Sequence, residues 1–180
     1  MDNSTKKTLA YNDEADRAYG AAGMTVAIVV CNAEDLLVGV NLDADEPSEM
    51  MELSDDYYYA GSNAKSVRAS WQQTLSAYRA GLVMAAGNVI ARSMAGNNKP
   101  VSAGMRRDLR EAIEPDGLDT CQLEVDEIDE LFDQIFSYLQ RVFSNAGVIR
   151  ITNDFAGLLR RERRLGRSDI LYALRPLARL

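Results

Sequence analysis

Four carboxylates, Asp126, Asp129, Glu130 and Asp133, recur at i, i+3, i+4 and i+7 and so share one side of any helix that carries them. Oxygen donors gathered in this way are the ligands that hard cations such as Mg2+ and Ca2+ take. No glycine-bearing calcium loop accompanies them. Acidic residues near a helix start also complement the helix dipole, and Arg141 stands toward the opposite end as the same rule requires. The four are therefore read first as a charged face, with a carboxylate metal site or an enzyme ranked third among the roles considered.

Arg160, Arg163, Arg164 and Arg167 repeat that spacing with the opposite sign, inside a run of five arginines in eight residues. One role for them is nucleic-acid binding. Asn153–Arg164, the turn "LGR" and Ser168–Arg175 would then form a helix-turn-helix. The second helix is short, is followed at once by Pro176, and offers few side chains suited to base edges. A net charge of −7 also opposes approach to phosphates, which makes nucleic acid the runner-up. The favoured expectation is that the arginines match acidic surface. Each charged face lies away from the apolar seam of its own helix, so pairing is expected between copies of the chain or with a protein partner. Complementary charge of this kind sets register and encounter rate.

Tyr57, Tyr58 and Tyr59 stand together in "DDYYYAG", and three consecutive rings cannot all enter one core. At least one is expected to face outward, where tyrosine serves interfaces through its apolar ring and polar tip. The S-x-x-K at Ser62–Lys65 is the start of a serine acyl-transferase pattern, but its S-D-N and K-T-G companions are missing.

The chain has no histidine, which removes Ser-His-Asp and Cys-His nucleophile systems and HExxH zinc sites from consideration. Catalysis is disfavoured and no cofactor is implied. Cys31 and Cys121 form no CxxC pair and read as reduced thiols of a cytoplasmic protein. Lys6 and Lys7 are followed by no apolar stretch, and the apolar runs are too short to span a bilayer, so neither a signal peptide nor a membrane role is expected.

These residues need elements to position them. With 180 residues and 47% hydrophobic composition, one domain with a real core is expected, preceded by a flexible arm over residues 1–12. Formal charge comes in blocks: −10 over residues 1–56, +5 over 57–115, −8 over 116–133 and +6 over 134–180. The fold class expected is mainly α, an elongated bundle of five or six helices. Trp71, Leu75, Tyr78, Leu82, Ala85 and Val89 mark a long helix over 63–95, capped by Ser62 or Asn63. Its run of glycine and alanine is suited to close packing against a second helix. Further helices are expected from about Ser102 to Glu114, stopped by "PDG", from about Leu123 to Asn145, and from about Asn153 until a break at Gly166. Ser168 would cap a last short helix. The first third is ambiguous. Tyr19, Ala22, Val26, Val29, Ala33, Leu37 and Val40 fit a helix begun at Asp13, slightly favoured over a β-hairpin in residues 25–42, for which "VIRIT" is the only other strand-like run.

Overall fold

Asp13 opens the first helix, α1 (Glu14–Val30), by accepting from the Asp16 backbone N–H at 2.8 Å. That helix sits at the centre of a mainly α protein, for which a computed structural model describes residues 9–180. The chain continues through β1 (Leu37–Asn41), β2 (Met51–Leu53) and a one-turn helix, α2 (Asp55–Tyr58). Then come α3 (Val67–Ala91), extended by a π-helical turn over Arg92–Gly96, α4 (Ala103–Cys121), α5 (Val125–Phe143) and α6 (Ala146–Glu162). A short strand β3 (Arg164–Gly166) and α7 (Arg167–Leu174) precede a closing 3-10 turn over Arg175–Arg179. Among the described residues the expected five or six helices are thus six, joined by the single turn of α2.

α1 is surrounded. Ala18, Ala21, Ala22, Val26, Ala27 and Ile28 are fully buried, and Thr25 is satisfied by donating to the Ala21 carbonyl at 2.8 Å. A helix buried on all sides has no polar stripe, which is why its sequence is also readable as strand. The helix favoured from Asp13 does form, but it ends at Val30, where Asn32 turns left-handed at φ 55°. Residues 25–30 therefore do not join a hairpin, and a strand begins only at Leu37. It is the middle of a three-stranded antiparallel sheet ordered β2-β1-β3, with Val40 facing Met51 on one side and Leu165 on the other. The "VIRIT" run instead lies inside α6, where Val148, Ile151 and Thr152 are buried.

α1 and α3 touch backbone to backbone. A Cβ placed on Gly87 would stand 2.5 Å from the Ala27 Cβ and 2.5 Å from the Gly23 carbonyl oxygen, so only glycine permits this crossing. The small-residue run of α3 thus packs as its composition leads one to expect. Its burial is confined to the second half: Leu82, Val83, Ala86, Val89, Ile90 and Ala91 are covered, while Trp71 is 46% exposed and donates its indole N–H to the Cys121 carbonyl at 3.0 Å. Ser66, not Ser62 or Asn63, caps this helix by accepting from Ala69 N–H.

A buried ion pair locks the same two helices. Arg92 donates to both oxygens of Asp16 at 2.7 Å, and to the carbonyls of Leu9 and Ala10 at 2.8 and 2.7 Å. Its guanidinium also lies 4.7 Å from the Tyr11 ring centroid. Of the arm expected over 1–12, residues 1–8 lie outside the described residues, and Leu9–Asn12 are tied down by this clasp.

α5 lays Ile128, Phe132, Phe136, Leu139 and Phe143 into the core, and α6 adds Phe155 and Leu159. Ser102 caps α4 as expected, accepting from Met105 N–H. "PDG" does not end α4. Pro115 lies within the helix, which runs to Cys121 and leaves through Gln122 in the left-handed region at φ 54°. The continuation brings Gly117 against Ile128 and the Tyr78 hydroxyl, burying Cys121 and Leu123 in a second small cluster. α6 likewise begins at Ala146, seven residues before the expected Asn153, because Asn145 caps it by accepting from Gly147 N–H at 2.7 Å.

Candidate functional site

The arginine run is largely engaged inside the chain. α6 ends at Glu162, and Arg163 leaves it with φ 64°. That reversal lays β3 beside β1 and so against the acidic first third of the sequence. Arg163 donates to Glu14 at 2.9 Å and to one oxygen of Asp43 at 3.0 and 2.5 Å. The hydrogen bonds from Arg163 hold the Asp43 carboxyl below its ordinary pKa, and the same bonds raise that of Arg163. Arg164 reaches across β1 to Glu52 on the far strand at 2.6 Å. Gly39 lies between them, and a Cβ there would stand 2.7 Å from the Glu52 carboxylate. Arg167 meets Asp35 at 2.7 Å. Arg160 is exposed and makes no ion pair among the described residues. Glu162 is exposed as well. A strand, not a helix-turn-helix turn, separates α6 from α7.

The acidic face of α5 finds partners on α4. Asp129 accepts from Arg110 at 2.6 Å, and Asp133 from Arg106 at 2.8 Å. Arg106 also lies over the Phe136 ring, 5.0 Å from its centroid. Glu130 accepts from Gln134 one turn later, and Asp126 is exposed at the positive end of the helix dipole. With guanidinium groups on two of the four carboxylates, they do not converge, and no group of three or more metal-type ligands is found among the described residues. The two charged faces thus stay apart, and each is neutralised in part by other segments of the same chain.

The tyrosines lie elsewhere. Tyr57 is half-buried and meets Tyr58 edge to face, with centroids 5.4 Å apart and planes at 87°. Burial raises the Tyr57 pKa, and Tyr58 beside it adds to the effect. Tyr58 and Tyr59 are 57% and 63% exposed, so two of the three rings face outward. Ser62 and Lys65 fall in the exposed turn before α3, not at a helix start.

Tyr57 and Tyr59 border an open groove of about 1120 Å3 between the end of α1, α2, the first half of α3 and the middle of α5. Asp35, Asp55 and Asp56 line it, and Arg79 is the one basic residue of its lining among the described residues. Tyr138 closes one side, its hydroxyl donating to the Val30 carbonyl at 3.2 Å. The last turn of α1 points its negative dipole end toward this groove and contains no basic residue. Cys31 also lines it as a free thiol whose pKa is raised by burial. Carboxylates, phenol rings and a helix carboxyl end all favour a cation, through charge and through the negative face of the rings.

Of the residues singled out in the sequence, the fold brings Tyr57 and Tyr59 to this groove and sends the charged faces to other positions. The sequence pointed to the tyrosines but not to Asp35 or Tyr138, which reach the groove only through the turn after α1 and the packing of α5. Asp55 and Asp56 had a visible signal, adjoining the tyrosines in "DDYYYAG". No helix among the described residues is long and apolar enough to cross a membrane. No protein-family model, curated protein or solved structure matches this chain.

Proposed function

We propose that this protein is a non-catalytic docking module that receives a cationic segment of a protein partner in the groove bordered by Tyr57, Tyr59 and Tyr138. The observation that carries the reading is the lining itself: among the described residues, Asp55 and Asp56, which make no ion pair, and three phenol rings stand against Arg79. Arg167, held on Asp35 at the groove edge, illustrates the guanidinium–carboxylate contact such a segment would repeat. A second copy of the chain is one source of that segment, because Arg160 and Arg161 are exposed and make no ion pair among the described residues. Nucleic-acid binding is less favoured, since Arg163, Arg164 and Arg167 are already committed to carboxylates.

The test is fluorescence anisotropy with a labelled arginine-rich peptide. Saturable binding with Kd of roughly 1–100 μM is expected, weakening as salt rises. The paired substitution Asp55→Asn with Asp56→Asn should weaken it about tenfold, equivalent to about 1.4 kcal/mol. Equal affinity of the variant and the parent protein would refute the reading. Retention on heparin that survives the paired substitution and is lost in Arg160→Glu would shift the assignment to nucleic acid.

A further inference from the structure

A second groove, of about 760 Å3, adjoins the first, and the two share Val30, Asn32 and Tyr138. Its character is different. Val29, Val142, Val148, Leu171, Leu174 and Leu177 supply an aliphatic lining from α1, α5, α6, α7 and the closing turn. Its charged residues are Arg141, Arg175 and Glu34, and the two arginines are exposed and make no ion pair among the described residues. One oxygen of Glu34 is buried and has no hydrogen-bond partner.

We infer that the two grooves act as one trough for an amphipathic peptide segment whose cationic residues are followed by aliphatic residues flanked by a carboxylate. The inference rests on the docking role proposed above and specifies the partner's chemistry. Cations occupy the part lined by Asp55 and Asp56. Aliphatic side chains cover Leu171 and Leu177. A carboxylate meets Arg141 and Arg175, which would repel a segment that was basic throughout. Tyr138 stands at the junction, offering its ring to both parts.

Two labelled peptides test this by anisotropy: a short arginine-rich one, and the same peptide extended by a segment of leucines and glutamates, with the extension joined at either end. One extended form should bind at least about tenfold tighter than the short one. That gain should vanish when the leucines are replaced by serine, and fall several-fold when the glutamates are replaced by arginine. In the protein, Leu171→Asp and Ala178→Trp should each remove the gain while leaving the short peptide's affinity unchanged, which also shows that the variants remain folded. Extended peptides that bind no tighter than the short one in either order overturn the inference and leave the docking role standing. A gain that persists in both protein variants overturns it too. Failure of every peptide to bind overturns both.

Discussion

Asp16 is a buried carboxylate, and its environment determines how the protein responds to acid. Burial alone would raise its pKa, but the hydrogen bonds from Arg92 and from the Asn12 backbone outweigh that effect and hold it below the ordinary value of 3.8. A carboxyl group with a depressed pKa in the folded state contributes stability above its unfolded pKa. That contribution is lost as pH falls through the folded value. Urea unfolding measured through the range below about pH 4 should therefore show a loss of stability that Asp16→Asn flattens. Arg92→Ala strands the Asp16 carboxylate and frees the carbonyls of Leu9 and Ala10. It should cost about 3–5 kcal/mol at neutral pH, the range for breaking a buried pair from one side. A cost below about 1 kcal/mol would show that the clasp is dispensable. The clasp joins Asp16 to Arg92 across 76 residues of sequence, and neither residue stands out in the sequence as a site. Both lie in segments where the local pattern signals only a helix.

Among the elements, the α1–α3 crossing and the interior of α4 make opposite predictions from local propensity. Alanine is favoured over glycine in a helix interior by about 1 kcal/mol, yet Gly23→Ala should destabilise, because its Cβ would enter the Gly87 carbonyl and the Ala91 side chain. A net loss of roughly 1–3 kcal/mol is expected from overpacking, measured by chemical unfolding. A gain in stability would contradict the close approach of the two helices. In α4, Pro115 provides no N–H for the Glu111 carbonyl and costs about 3 kcal/mol in a helix interior. Pro115→Ala should recover about 2 kcal/mol, after about 1 kcal/mol is set against it for the freer unfolded chain.

These elements also show what was legible in the sequence. α5 was plain because Ile128 and Leu139 recur on one side while Asp126, Asp129 and Asp133 occupy the other. α1 was ambiguous because its neighbours cover every side. α4 was cut short because a proline ordinarily ends a helix, and here the packing of Gly117 on Ile128 overrides that rule. Strand β3 has three residues, too few to carry any alternation. Missing it concealed where the arginines go.

At the scale of the whole molecule, the charge blocks explain why the chain closes on itself as it does. The basic last quarter meets the acidic first third through Arg163 to Glu14 and Asp43, Arg164 to Glu52 and Arg167 to Asp35. The acidic stretch of α5 meets α4 through Arg106 and Arg110. Such exposed pairs add little stability each, but they fix which surfaces come together. They also spend much of the charge that a reading of isolated helices leaves for partners. What remains for a partner is local: a groove with the carboxylates of Asp55 and Asp56 and three tyrosines beside a strip of leucines and valines. Tyr57 and Tyr59 made one edge of that groove visible in advance, while its other walls depended on long-range packing.

The most direct measurement is an NMR titration of the isotopically labelled protein with an arginine-rich peptide, following every backbone amide. The docking account predicts saturable shifts concentrated at Cys31–Leu36, Asp55–Ala60 and Gln134–Tyr138, which need about tenfold more peptide in the Asp55→Asn, Asp56→Asn protein. Shifts centred instead on Asp126–Asp133, or no saturable shift at millimolar peptide, would contradict it.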